Sequence, residues 1–304
     1  MRLASIDLGS NALTVTILEQ KYGKIHLIKE WVKFIRLGQS LKIGGQLHPH
    51  AKMRCLEALR SLSKKINDYS VDKILAVGTA ALRNANDGEK FIETIEKECG
   101  ISFKILSGEK EAELTFKAIT HEFGYIGKSF FMIDIGGGST ELVKGDKVKI
   151  KSRISLNVGT VSFSEKYFKH DPPDSKDQNS AIKELDKMFS PLSLEKPTSL
   201  IIGVAGTITT LKAVELKMDN YDPSRVHGKQ LTLNSIIALS DYLLSLSSQE
   251  RAKLKGLPHE RADIIPMGAL ILQTILRKIH HQRIVISDHG LRWGMIYRWM
   301  TENL

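Results

Sequence analysis

The feature that most constrains this chain is an internal repeat. Leu3 to Asp7 is a short apolar run ending in an acid, followed by Leu8-Gly9-Ser10-Asn11 and a second strand-like run from Leu13 to Leu18. The pattern returns 127 positions later, from Asp7 to Asp134: Phe130 to Asp134, then Ile135-Gly136-Gly137-Gly138-Ser139-Thr140, then Glu141-Leu142-Val143. Each copy reads strand, tight turn of glycine and hydroxyl residues, strand; the glycines let the backbone turn sharply and be approached closely. At 304 residues the chain also exceeds the usual size of one hydrophobic core. We therefore expect an N-terminal domain over residues 1–125 and a C-terminal domain over 126–304, with a hinge near Gly124 and Gly127.

Apolar periodicity fills in the rest. His26 to Phe34 reads as a strand, Met53 to Ile66 as a helix burying Met53, Leu56, Leu59, Leu62 and Ile66, and Lys73 to Val77 as a buried strand. Glu89 to Cys99 is predicted helical, stopped by Gly100, and Ile101 to Leu106 extended. Ser107-Gly108-Glu109-Lys110-Glu111 opens a helix to about Phe123, with acids in the first turn where the dipole favours them. In the second half, strands are expected at Phe130 to Ile133, Glu141 to Lys144, Val148 to Leu156, Leu200 to Val204 and Arg283 to Ile286. Helices are expected at Thr160 to Phe168, Ser180 to Met188 after a polar loop His170 to Asn179, Arg261 to His280 and Leu291 to Met300. A further helix follows Ala205-Gly206-Thr207. Such alternation predicts an α/β fold with mixed sheets flanked by helices.

Composition excludes more than it selects. The most apolar stretch, Ile264 to Leu276, is interrupted by Pro266, Gly268 and Gln273 and falls short of the ~20 residues a membrane span needs. With no secretory pattern at the N-terminus, the chain reads as cytoplasmic. Cys55 and Cys99 form no Cys-x-x-Cys pair and read as idle thiols, and the ten histidines show no metal-site spacing. A net charge of +10 favours a polyanionic partner. The basic residues are scattered and aromatics make up only 7%, so no platform for nucleic acid is expected. Absence of Gly-x-x-x-x-Gly-Lys-Ser/Thr excludes a P-loop.

Three strand-turn elements share a phosphate-cradling character: Asp7 with Gly9-Ser10-Asn11, Asp134 with Gly136-Gly137-Gly138-Ser139, and Gly203-Val204-Ala205-Gly206-Thr207, which also opens a helix. Asp7, Asp134 and Glu141 are carboxylates at strand ends, suited to a hard divalent cation or to stabilising a turn. Glu111 is either a base for water or an acid serving the helix dipole. Arg83 either clamps a phosphate or sits solvated on a helix. His227, His289 and Arg292 are weaker candidates, with Ser287 and Asp288 able to act as helix caps.

Taken in order, these strings resemble the exopolyphosphatase and guanosine pentaphosphate phosphohydrolase family, in its short two-domain form. The resemblance spans nearly the whole chain and includes Ile6 to Asn11, Gly78 to Arg83, Ser107 to Ala112, Asp134 to Glu141, Gly203 to Thr207, Arg261 to Gly268 and Ser287 to Gly294. It implies duplicated actin-like, ribonuclease H-like domains enclosing a cleft, and no additional helical domain beyond Leu304. It also implies Mg²⁺-assisted hydrolysis of the terminal phosphate of polyphosphate, guanosine pentaphosphate or both. Glu111 falls at the catalytic base and Glu141 at a second catalytic acid. Asp7, Asp134 and Glu141 fall at the metal, and Gly9, Ser10, Asn11, Arg83, Gly137, Gly138, Ser139, Gly206 and Thr207 at the phosphates. A homodimer stays open. The chief departure is Glu111-Ala112-Glu113 where the family often has Glu-Ala-Arg, which removes positive charge near the base. The alternative is a non-catalytic sensor that holds polyphosphate or guanosine tetraphosphate.

Overall fold

A computed structural model describes residues 1–22, 24–124, 129–190 and 200–302. The expected boundary at 125/126 and Gly127 of the expected hinge lie outside the described residues. The chain forms two compact units, Met1–Ala118 with Leu291–Leu304, and Ile119–Gly290.

The first unit is built on β1 (Arg2–Leu8), β2 (Ala12–Lys21), β3 (Lys24–Phe34), α1 (Pro49–Asn67), β4 (Lys73–Gly78), α2 (Ala80–Asn84), α3 (Gly88–Cys99), β5 (Lys104–Ile105) and α4 (Gly108–Phe123), which passes into the second unit after Ala118. Its sheet runs β3-β2-β1-β4-β5, antiparallel on the β2 side of β1 and parallel on the β4 side. Alternation along β1 sorts the core. Ala4, Ile6 and Leu8 face α1 and α3, whereas Leu3 packs with Ala118 of α4 and Trp293, Ile296 and Met300 of the closing helix. That closing helix belongs to this unit because its apolar face fills the second side of this sheet; the division read from sequence assigned it to the other half. In α1 the buried stripe is Ala51, Cys55, Leu59, Leu62 and Ile66, and Met53 is 51% exposed, because Met53 lies off the i, i+4 row that reaches the sheet. The strand expected at Ile101 to Leu106 shortens to two residues.

The second unit contains β6 (Phe130–Ile135), β7 (Thr140–Gly145), β8 (Ile150–Leu156), α5 (Thr160–Tyr167), α6 (Ser175–Met188), β9 (Leu200–Val204), α7 (Ala205–Glu215), β10 (Gln230–Thr232), α8 (Leu233–Ser245), α9 (Ser248–Arg251), α10 (Ile265–Lys278) and β11 (Arg283–Ile286). Helix α11 (Leu291–Glu302) then closes the first unit. The sheet order is β10-β11-β9-β6-β7-β8. Counted from the first strand of each unit, the sheets read 3-2-1-4-5 and 3-2-1-4-6-5, the same order once the edge strand β10 is set aside. The duplication seen in sequence is a duplication of topology. Helix α6 starts five residues before the expected Ser180, since the Asp174 carboxylate caps it by accepting from the Asp177 amide. Arg261 lies in a short 3₁₀ turn before α10, so the expected helix from Arg261 begins at Ile265. No helix among the described residues is long and apolar enough to cross a membrane.

Candidate active site

In the first unit, β1 and β4 run parallel and end side by side at Leu8 and Gly78. The turn after β1 closes with the Gly9 amide donating to the Ala12 carbonyl at 2.9 Å. Its carbonyls are gripped from the segment after β3. Asn11 O accepts from the Ile35 and Arg36 amides, and Ser10 O accepts from Gly38 at 2.8 Å. Gly38 is a glycine by contact, since a Cβ there would sit 2.9 Å from Ser10 Cβ. Ser10 and Asn11 are both buried, and neither polar atom of the Asn11 amide has a hydrogen-bond partner.

Asp7 lies on the Leu3 face of β1, directly opposite Thr14. Its Oδ1 is buried without a hydrogen-bond partner. Burial pushes its carboxyl up to about 6 from an ordinary 3.8, against the opposing pull of Arg292. Arg292 is engaged by Thr16 Oγ1 at 2.7 Å and Glu30 Oε2 at 2.8 Å.

Beyond β4, the Thr79 amide donates to Leu8 O and opens α2, which carries Arg83. Beyond β5, Glu111 occupies the first turn of α4, its amide donating to Ser107 O at 3.0 Å. The two side chains meet. Arg83 Nη1 donates to Glu111 Oε2 at 3.1 Å and to Leu106 O at 2.7 Å, with side-chain exposures of 21% for Arg83 and 12% for Glu111. Among the described residues, both contacts of the guanidinium use Nη1. The acid two residues on has other work: Glu113 pairs with Lys110 at 2.8 Å and with Arg298 of α11 at 3.3 Å.

The second unit repeats this frame with different chemistry. The Gly136 amide donates to Ser139 O at 2.9 Å, the same i to i+3 closure as at Gly9. Asp134 stands directly opposite Glu141, the repeat of Asp7 opposite Thr14. Both acids are buried, at 7% and 1% exposure, and the Ser155 hydroxyl donates to Glu141 at 2.8 Å. The turn carbonyls accept from the start of α5: Thr160 N to Gly136 O at 3.0 Å and Val161 N to Gly137 O at 2.9 Å. The approach is so close that a Cβ at Gly159 would lie 2.4 Å from Gly137 and Gly138 backbone atoms. Strand β9 ends beside Asp134 and runs into α7 through Ala205, held at φ +70°, a conformation that side-chain-bearing residues rarely adopt. The Thr207 hydroxyl donates to Ile135 O at 2.8 Å, so its proton serves the fold and its amide is what it has for a ligand.

A model of the Ppx/GppA phosphatase family matches residues 16–303. The chain belongs to the Ppx/GppA phosphatase family. The Aquifex aeolicus family member, a solved structure, aligns with a TM-score of 0.84 and 34% identity, covering 100% of this chain and 99% of its own. "Exopolyphosphatase 2" of Mycobacterium tuberculosis is 26% identical over 310 residues, 97% of each chain. A "guanosine-5'-triphosphate,3'-diphosphate pyrophosphatase" of Vibrio parahaemolyticus is 29% identical over 303 residues, 98% of this chain. The chain spans 59% of that Vibrio protein and 46% of a bifunctional relative.

Within this Ppx/GppA frame, two features escaped the sequence reading. Arg261 lies against Gly206 so closely that a Cβ there would meet its guanidinium at 2.2 Å. Burial lowers its pKa to about 10, with Glu260 and Tyr221 opposing. Its place in the string Arg261 to Gly268 was the only signal in the sequence. The second feature is a group of Glu122, His227 and His289, which no spacing joins. His289 Nδ1 is 3.1 Å from Glu122 Oε1, and the His227 ring lies 4.6 Å from that of His289 and 5.3 Å from Phe123.

Proposed function

We propose that this chain hydrolyses the terminal phosphoanhydride bond of inorganic polyphosphate, guanosine pentaphosphate, or both. Relatives named for each activity support the pair of substrates. The observation that carries the reading is the Arg83–Glu111 pair, a partly buried carboxylate oriented by one nitrogen of a guanidinium whose other nitrogens make no hydrogen bond among the described residues. Glu111 orients a water and accepts its proton as oxygen bonds to the terminal phosphorus. The anhydride P–O bond breaks, releasing orthophosphate and a chain one unit shorter. Arg83 steadies the base and offers its remaining N–H groups to phosphate oxygens. Each unit carries amides suited to phosphate: the turn at Gly9-Ser10-Asn11 in the first, and the turn at Gly137-Gly138-Ser139 with the start of α7 at Gly206-Thr207 in the second.

Mg²⁺ fits the donor set. In the second unit Asp134 and Glu141 are buried carboxylates directly opposed on one ladder, a pair of hard oxygen donors; in the first unit Asp7 has a buried oxygen with no hydrogen-bond partner among the described residues. Bound there, the ion would neutralise phosphate charge and polarise a phosphoryl oxygen.

Phosphate release from a panel of polyphosphates and guanosine pentaphosphate, with and without Mg²⁺, tests the reading. Glu111→Gln should lower kcat by roughly 10²–10⁴ while substrate binding persists. A variant keeping more than about half the kcat removes Glu111 from the chemistry. Binding without turnover in the parent protein favours a sensor.

A further inference from the structure

We propose that Glu122, His227 and His289 form a binding site for a zinc-class divalent cation (Zn²⁺, Co²⁺ or Ni²⁺), separate from the residues read as holding Mg²⁺. The three come from distant stretches: the end of α4, the turn after Pro223–Arg225, and the segment between β11 and α11. One ligand atom from each lies within 4.8 Å of the others. Ligands around a tetrahedral ion with bonds of about 2.0–2.1 Å stand roughly 3.3 Å apart. His289 Nδ1 and Glu122 Oε1 already have that spacing at 3.1 Å, so closing the set needs movement chiefly of the His227 ring.

The donor chemistry selects the ion. Two imidazoles and one carboxylate suit borderline metals, whereas Mg²⁺ and Ca²⁺ prefer all-oxygen shells. Three protein ligands leave a fourth position for water. Support around the ligands is also present. The His227 ring stacks on Phe123 and lies tilted against His289, and the 287–289 segment is pinned by Ser287 N to Gly203 O at 2.8 Å and His289 N to Ser287 Oγ at 3.1 Å. Coordination through His227 gives up one long hydrogen bond, accepted by its Nδ1 from the Asp288 amide at 3.3 Å. His121 also approaches Glu122, at 3.5 Å, but is more exposed. The rival cluster, His170 with Asp174 and Asp177, is weaker. Both its acids are committed, Asp174 to capping α6 and Asp177 to the Lys169 and His170 amides.

The test is titration of the chelator-stripped full chain with Zn²⁺ and with Co²⁺, followed by calorimetry, the visible Co²⁺ spectrum and Tm. We expect a one-to-one site, an intense Co²⁺ band typical of low coordination number, and a Tm raised by at least about 3 °C at saturating Zn²⁺. His289→Gln and His227→Gln should each weaken Zn²⁺ binding by tenfold or more, and His170→Gln should leave it unchanged. Unaltered affinity in the His227 and His289 variants, or loss in the His170 variant, overturns the assignment. If a histidine variant fails to fold, Glu122→Gln and the parent's Co²⁺ spectrum decide: a six-coordinate, weak spectrum or no binding rules the site out. None of these readouts depends on phosphate release.

Discussion

The turns after β1 and β6 share a backbone and differ in chemistry. Each closes by a glycine amide donating to the carbonyl three residues on, and each has a carboxylate one residue before the strand end. Across the ladder, however, Asp7 faces Thr14 and Asp134 faces Glu141. In the first unit burial of the carboxyl raises its pKa, and Arg292, itself bound to Glu30, offsets that only in part. In the second, two acids stand opposed on one ladder, and we propose that they hold the cation. The grip on the turns differs as well: an extended segment through Gly38 in one, the first turn of α5 packed through Gly159 in the other. A duplicated frame fixes where side chains sit; one substitution at an equivalent position decides what they do there.

The sharpest way to break this comparison is to neutralise the acids. Asp134→Asn and Glu141→Gln should each cut kcat by about 10² or more and raise the Mg²⁺ concentration needed for half-maximal rate, as hard-ion ligands should. Phosphate release measured across a Mg²⁺ series checks this; equal activity in chelator would remove the metal from the second unit. Next in size is the contrast between glycines. Gly159→Ala places a methyl against immovable backbone and should cost about 2–3 kcal/mol, whereas Gly9→Ala meets only one carbonyl oxygen at 3.1 Å and should cost less. Urea unfolding of the two variants ranks them, and the reverse order would undo the distinction.

Asp7 provides a test by pH. Its folded value of about 6 lies above the ordinary 3.8, so the native state binds the proton more tightly and stability is lost as pH rises through that interval. In chelator, Asp7→Asn should therefore stabilise the protein by about 3 kcal/mol at pH 8 and by almost nothing at pH 4. Unfolding curves at both pH values decide; a gain of the same size at both would mean that the charge is not what matters. The smallest effect belongs to Glu113, whose partners are half-buried near the surface. Glu113→Ala should change stability by less than about 1 kcal/mol and leave kcat within about twofold, checked by Tm and initial rates.

The sequence by itself determined the duplicated strand-turn-strand frame, the α/β class and the strings that mark the family, because turn chemistry and short apolar periods are local properties. It also supplied Glu111, Arg83, Asp134 and Glu141 as candidates, each with a second reading as a helix-dipole acid, a solvated arginine, a turn-stabilising aspartate or a surface glutamate. Packing decided what local pattern could not. It brought Arg83 to Glu111 across 28 positions, gave Glu113 a partner in α11, and set Arg261 against Gly206. Periodicity cannot say which sheet a closing helix covers, so α11 was assigned to the wrong half until Trp293 and Ile296 were seen packing with Leu3. For the same reason ten histidines without metal spacing concealed the group at Glu122, His227 and His289. Side chains drawn from three separate stretches carry no sequence period, and only the folded chain sets the distances between them.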